Sequence, residues 1–168
     1  TACEWVQLAC ARHQDDYERW QVDDPDWPYV YDYKKAELVC RVIERLPHIK
    51  GKWAKSVLDK EGRHAARIHL EPWQIFILTT IFGWVHRDTR KRRFHTVYVE
   101  VARKNAKSTL LAGVSLYALT LDQEPGAEVY SAATKRDQSR IVFGAAQEML
   151  RKSPDFRAKY GIHVGTHN

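Results

Sequence analysis

The 168-residue sequence has few of the features that build cross-linked or membrane-spanning proteins. Its three cysteines, Cys3, Cys10 and Cys40, are an odd number without a C-x-x-C pair, which argues against a disulfide framework and a zinc site. We therefore expect buried thiols in a reducing compartment. No apolar run approaches the roughly 18 residues that a membrane-spanning helix needs. The N-terminus also turns polar too early for a secretory signal.

A folded domain is nevertheless indicated, because 44% of the residues are hydrophobic and six are tryptophan. The formal net charge of +6 is spread unevenly along the chain. Carboxylates concentrate between residues 15 and 32, whereas the stretch HRDTRKRRFH at 86–95 is strongly basic. A basic balance is compatible with nucleic acid or a nucleotide as a partner. A solvated surface is the alternative explanation for such a charge run.

The first half of the chain carries helix signals interrupted by a long irregular segment. Asp32 is a candidate N-cap, and the apolar residues that follow it recur at helical spacing until Pro47. The segment 48–70 is typical of loops and turns. A second helix is predicted to begin at Pro72, since proline is favoured in the first helical turn.

The second half of the chain shows an alternating pattern of strands and helices. Residues 96–101 and 127–133 are predicted strands, and the first is so apolar that we expect it to be buried on both faces of a parallel sheet. One helix begins at Ser108, and another follows Thr134, which forms a capping box with Asp137. This βαβα order predicts an α/β fold with a parallel sheet.

The stretch VARKNAKSTL, residues 101–110, lies between the first of these strands and its helix. It ends like the phosphate-binding loop G-x-x-x-x-G-K-[ST], with Lys107 and Ser108 opening the helix. In such loops backbone N–H groups hold phosphate oxygens at a helix N-terminus, where the helix dipole favours anions. The two glycines are replaced by Val101 and Ala106. A nucleotide site and an ordinary basic turn both remain open at this point.

Three segments, taken together, resemble the N-terminal ATPase region of the large terminase subunit of tailed bacteriophages. They are EPWQIFILTTIFGW, RRFHTVYVEVARKNAKSTLLAGVSLYAL and DQEPGAEVYSAATKRDQSRIVFGAAQEML, in the order found in that family. The resemblance implies a P-loop NTPase-type parallel sheet, of which residues 71–168 form the first half. A mainly helical, lid-like region at 1–70 precedes it. The implied function is an ATP-driven motor that moves double-stranded DNA into a procapsid in the bacterial host cytoplasm.

The resemblance also implies roles for the residues of the loop. Lys107 matches the phosphate-binding lysine, Ser108 the hydroxyl that binds Mg²⁺, and Arg103 an arginine that stabilises transition-state charge at the γ-phosphate. The expected nucleotide-binding residues of the loop are Arg103, Lys104, Asn105, Ala106, Lys107, Ser108 and Thr109. Lys104 and Asn105 contribute mainly backbone N–H groups. The family usually lacks the first glycine, whereas Ala106 departs from a glycine that it usually keeps.

Outside the loop, the resemblance singles out two further groups of residues. Gln74 matches a glutamine that reads the adenine edge, with Trp73 lining the base, and the alternative is a polar residue on the exposed side of a helix. Lys135, Arg136 and Arg140 lie where related motors carry a segment near DNA, and an exposed helix face is their alternative. The basic residues of 87–93 are expected on a surface loop that faces solvent, DNA or a neighbouring subunit.

The family implies ATP and Mg²⁺ as cofactors, and double-stranded DNA, the portal protein and the small terminase subunit as partners of a ring of subunits. It also implies an endonuclease domain. None of the apolar runs is followed by the acidic residues that bind Mg²⁺ and activate water, so we expect this acidic strand after Asn168, together with the nuclease domain. The 168 residues alone should then hydrolyse ATP poorly or not at all. A helicase-like P-loop ATPase and a non-enzymatic basic module that binds DNA or a partner are the alternatives.

Overall fold

The computed structural model describes residues 2–51, 54, 67–122 and 124–165, so most of the predicted loop segment 48–70 lies outside the described residues. The chain forms two compact units that are discontinuous in sequence. Unit 1 comprises Thr1–Cys40 and Pro72–Val99, and unit 2 comprises Arg41–Glu71 and Glu100–Asn168. The predicted division at residue 70 follows chain order and stays a prediction. Among the described helices, none is both long and apolar enough to cross a bilayer.

Unit 1 combines helices with a short two-stranded sheet. Its elements are α1 (Glu4–Gln21), β1 (Tyr29–Tyr31), the first part of α2 (Tyr33–Glu44), α3 (Pro72–Gly83) and β2 (Trp84–His86). The strands pair antiparallel, with Tyr31 opposite Trp84. Two sequence signals are confirmed: α3 begins at Pro72, and the Asp32 carboxylate accepts a 3.1 Å hydrogen bond from the Lys35 N–H at the start of α2.

Aromatic rings form the core of unit 1. Trp84 is completely buried, and its ring centroid lies 5.1 Å from that of Tyr31 and 6.2 Å from those of Trp20 and Trp27. These pairs meet edge to face, a geometry that aromatic quadrupoles favour. Gly83 makes room for them, because a Cβ atom there would lie 2.6 Å from the Tyr31 ring. The sheet therefore serves mainly to hold one aromatic cluster.

Unit 2 is helical where the structure describes it. Its elements are the end of α2, α4 (Lys107–Thr120), α5 (Arg136–Arg151) and α6 (Pro154–Tyr160). Helices α4 and α5 pack together, and the buried residues of this core include Leu116, Tyr117, Met149 and Leu150. Gly113 permits a close approach, since a Cβ atom there would lie 3.1 Å from Ile43. This packing fixes the beginning of α4, where the loop 101–106 ends.

The prediction of a strand buried on both faces at 96–101 is wrong. Within the described residues, neither this run nor 127–133 lies in a strand, and the sheet present is the antiparallel β1–β2 pair. Tyr98 is 85% exposed and Tyr130 82% exposed. A strand forms only where a neighbouring strand takes up its backbone hydrogen bonds, and the described residues form no strand beside these two runs. The described part of the chain thus combines helices with one small antiparallel sheet.

Two smaller predictions are also wrong. Cys3 and Cys10 are exposed rather than buried, because the first half of α1 is largely uncovered. Thr134 does not cap α5, since the helix begins at Arg136 with Lys135 as its N-cap. Asp137 is consequently the second helical residue, one position too early for a capping box with Thr134.

Candidate functional site

The loop between residues 101 and 106 enters α4 through two residues with left-handed backbone. Lys104 has a φ of 70° and Ala106, the N-cap of α4, has a φ of 53°. This region is readily adopted by glycine and is costly for a residue with a Cβ atom, by about 1 kcal/mol. Ala106 occupies the position where the consensus has glycine. Its left-handed backbone explains why glycine is preferred there.

Lys107 turns its side chain back over this loop. Its Nζ donates hydrogen bonds to the carbonyl oxygens of Val101 and Ala102, the second at 2.9 Å. The side chain is half-buried, and the residue is the first of α4. The ammonium group is thus held against the loop carbonyls rather than spread into solvent.

The Asn105 side chain contacts the same turn. Its Nδ2 donates to the carbonyl oxygen of Ala102 at 3.2 Å and lies 3.4 Å from that of Arg103. The resemblance implies mainly a backbone role for Asn105. The sequence does contain a signal for these side-chain hydrogen bonds, namely an asparagine in a loop without glycines. Asparagine side chains often form hydrogen bonds with nearby backbone groups.

The start of α4 leaves backbone donors open. The first backbone hydrogen bond there runs from the Leu110 N–H to the Ala106 carbonyl at 2.9 Å. For the N–H groups of 103–109, the described part of the chain provides no hydrogen-bond acceptor. Ser108 and Thr109 are half-buried in the first helical turn, and Arg103 is exposed. Open N–H groups at a helix N-terminus attract anions.

Trp73 and Gln74 belong to α3 in unit 1, whereas the loop belongs to unit 2. Gln74 is only 5% exposed and Trp73 is half-buried. The alternative in which Gln74 is simply a solvent-facing polar residue is therefore wrong. A buried amide must be hydrogen-bonded to avoid a large desolvation cost, so this position is chemically constrained. Its role toward adenine stays a prediction.

Lys135, Arg136 and Arg140 lie at the beginning of α5 and are all exposed. Arg136 and Arg140 are four residues apart, so they project from the same side of the helix. The described residues include no acidic partner within ion-pair distance of these three. They form an accessible basic patch, which is compatible with phosphate contacts and with a solvated helix face.

The basic stretch at 86–95 has a structural role within unit 1. Arg87 pairs with Asp23 at 3.0 Å, and Arg90 pairs with Asp32. A third pair joins Arg93 to Asp16, and the Arg93 guanidinium also lies 4.6 Å from the Trp27 ring centroid. The two oppositely charged stretches of the sequence therefore neutralise each other, which their separation in the chain concealed.

Comparison with models of known protein families gives a match. Residues 72–159 match the family model described as "Terminase large subunit, ATPase domain". This range contains α3, the loop 101–106, α4 and α5. Searches of curated proteins and of solved structures found no match.

Proposed function

Because the chain belongs to the family of terminase large subunit ATPase domains, we propose that its loop 101–106 and the first turn of α4 bind the phosphates of ATP in a DNA-packaging motor. The observation that carries this proposal is the conformation of the loop. Lys107 is held against it, the glycine position has a left-handed φ, and the N–H groups that follow are open. These are the features by which a phosphate-binding loop functions.

Each residue of the loop then has a distinct part. The open N–H groups from Arg103 to Thr109 hold phosphate oxygens, and the ammonium of Lys107 adds a positive charge for the β- and γ-phosphates. Arg103, whose guanidinium is exposed, stabilises the charge that develops at the γ-phosphate. Lys107 and the loop backbone thus bind the nucleotide, whereas Arg103 stabilises the transition state.

The hydroxyl group of Ser108 is suited to be the Mg²⁺ ligand that such a site provides. Ser115 and Thr120, also on α4, bond to carbonyls one turn earlier at 2.8 and 2.7 Å. Ser108 makes no such bond to a described residue, because at the second position of the helix no helical carbonyl precedes it by a turn. When bound, Mg²⁺ neutralises phosphate oxygens and fixes their orientation. The donor chemistry of Ser108 is suitable for it.

The exposed patch of Lys135, Arg136 and Arg140 is the proposed contact with the phosphates of double-stranded DNA. Neutralising these residues should weaken DNA binding and flatten its salt dependence, since fewer counterions are then released. In the full-length motor, the portal protein, the small subunit and further copies of the large subunit are the proposed partners. The proposal of these partners rests on the family to which the chain belongs. The family also supports the bacterial host cytoplasm as the proposed location of the motor.

Calorimetric titration with a non-hydrolysable ATP analogue and Mg²⁺ tests the proposed site. The Lys107→Ala variant should bind at least about tenfold more weakly, because a charged hydrogen-bond donor to phosphate is lost. Lys34→Ala is the matched control, since Lys34 is exposed on α2 and the charge change is the same. No heat and no thermal shift with the parent chain would favour the non-enzymatic module. Equal binding by Lys107→Ala would place the ligand elsewhere.

A further inference from the structure

Asn105 has a side-chain role that binding through its backbone does not require. Its amide nitrogen bridges two consecutive carbonyl oxygens, those of Ala102 and Arg103, at 3.2 and 3.4 Å. The residues on either side of it, Lys104 and Ala106, both have left-handed φ values without being glycine. A turn of this kind persists only when surrounding interactions hold it.

The direction of these carbonyls determines where the loop N–H groups point. No peptide bond in the described residues is cis, and in a planar trans peptide the C=O and N–H groups point in opposite directions. The carbonyls of Val101, Ala102 and Arg103 are turned toward the side chains of Lys107 and Asn105. The N–H groups of residues 102–104 therefore face the other way. Successive N–H groups that face one side make an anion-binding concavity.

Lys107 and Asn105 share one of these carbonyls, that of Ala102, at 2.9 and 3.2 Å respectively. If the Lys107 ammonium turns to a phosphate, its bonds to the loop carbonyls are lost. Among the described side chains, Asn105 is then the one that still holds the Ala102 and Arg103 carbonyls. Its amide has no charge to be drawn to the phosphate, so it is suited to this fixed task.

We propose that Asn105 is a positioning residue of the phosphate loop, whose amide keeps the carbonyls of Ala102 and Arg103 turned away from the bound nucleotide. The role rests on the proposed function. It explains how the loop keeps an anion-binding arrangement with Val101 and Ala106 at the two glycine positions. The side chain of Asn105 replaces, by hydrogen bonds, part of what glycine provides by conformational freedom.

The affinity experiment compares the parent chain with Asn105→Ala, using the same non-hydrolysable ATP analogue and Mg²⁺. The loss of these hydrogen bonds should weaken binding by about five- to tenfold. Gln138→Ala is the matched control, because it removes an exposed amide side chain outside the loop. Thermal melting should be unchanged in both variants, since the hydrogen bonds of the Asn105 side chain to described residues lie within the exposed turn.

A second measurement determines the backbone conformation of the loop in the absence of nucleotide. Backbone chemical shifts and three-bond couplings report φ at Lys104 and Ala106, which the structure places in the left-handed region. Asn105→Asp keeps the size of the side chain but removes both N–H donors, so these residues should lose the left-handed signature. The parent chain and Gln138→Ala should keep it.

The outcomes separate the two proposals. If the parent chain does not bind the analogue, the proposed function is overturned and the positioning role is overturned with it. If the parent chain binds and Asn105→Ala binds equally tightly, the positioning role alone is overturned. An unchanged φ signature in Asn105→Asp likewise contradicts the positioning role and leaves the phosphate-binding function in place.

Discussion

The indole N–H of Trp84 donates a 3.2 Å hydrogen bond to Nδ1 of His13 and so ties β2 to the middle of α1. The His13 ring also meets those of Tyr31 and Phe76 edge to face, with centroids 5.8 and 5.6 Å away. Nδ1 can accept the Trp84 hydrogen bond only while it carries no proton. The core of unit 1 therefore depends on a neutral histidine.

Lowering the pH should destabilise unit 1 through His13. Burial lowers the pKa of His13; among the nearby charges Asp16 raises this pKa, whereas Arg12 and Arg93 lower it. In the unfolded chain the pKa of His13 is about 6.5. Below this pH the unfolded chain therefore binds a proton at His13, whereas the folded chain keeps this histidine neutral. The free energy of unfolding should fall as the pH decreases from about 6.5 toward the lowered folded pKa, as measured by urea titration with tryptophan fluorescence.

The control for this prediction is His13→Gln, whose side-chain oxygen can still accept from Trp84 but does not titrate. His48 also has a pKa lowered by burial and by its neighbour His69, so part of the pH dependence of the whole chain belongs to unit 2. The difference in slope between the parent and His13→Gln isolates the contribution of His13. Identical slopes would show that His13 does not titrate on unfolding.

The ion pairs of unit 1 should differ strongly in their contributions. In the pair of Asp16 and Arg93 the side chains are 7% and 16% exposed, whereas Asp23 in the pair with Arg87 is 82% exposed. Asp16→Ala leaves the Arg93 guanidinium buried without its carboxylate, so we expect a loss of about 3 kcal/mol in the free energy of unfolding. Asp23→Ala should cost at most about 1 kcal/mol, because solvent screens that pair.

Urea unfolding followed by tryptophan fluorescence measures both variants, since Trp27 and Trp84 are buried in this unit. A loss of similar size for the two variants would contradict the ranking by burial. Equal and small losses would mean that aromatic contacts alone hold Arg93, whose guanidinium also lies 4.9 Å from the Phe94 ring.

Local signals in the sequence were sufficient to predict where three helices begin. Asp32 directly precedes α2 and accepts a hydrogen bond from its first turn, Pro72 begins α3, and α4 begins at Lys107, one residue before the predicted Ser108. Each signal acts within one helical turn, because caps and first-turn prolines satisfy or remove the open N–H groups of that turn. Such interactions need no knowledge of the rest of the fold.

Features that depend on distant residues were not predictable in this way. Strand β1 and strand β2 are three residues each and exist because Tyr31 and Trp84 meet across the sheet. The pairing of Arg93 with Asp16 likewise joins segments far apart in the chain. Conversely, 96–101 has the composition of a strand, but the described residues form no neighbouring strand beside it. Strand propensity reflects packing against neighbours, which composition does not contain.

Substitutions at Ala106 test whether its left-handed backbone limits nucleotide binding. With φ at 53°, glycine removes the steric cost of about 1 kcal/mol, so Ala106→Gly should bind the ATP analogue at least as tightly as the parent. Ala106→Val places a β-branched side chain in a region that such residues avoid, and binding should weaken about tenfold. Calorimetric titration of the three chains gives this order. Weaker binding by Ala106→Gly would show that the bound loop has another conformation.

The role that the resemblance implies for Gln74 predicts that this residue selects between adenine and guanine nucleotides. Gln74→Met preserves the volume of this buried side chain and removes the amide that is predicted to read the adenine edge. The ratio of ATP-analogue to GTP-analogue affinity should fall by about tenfold, because only adenine loses specific hydrogen bonds. Lys107→Ala is the complementary control, because the proposed contacts of Lys107 are with phosphates common to both nucleotides. This variant should lower both affinities and leave their ratio unchanged. If Gln74→Met weakens both equally, Gln74 supports the packing of α3 and does not read the base.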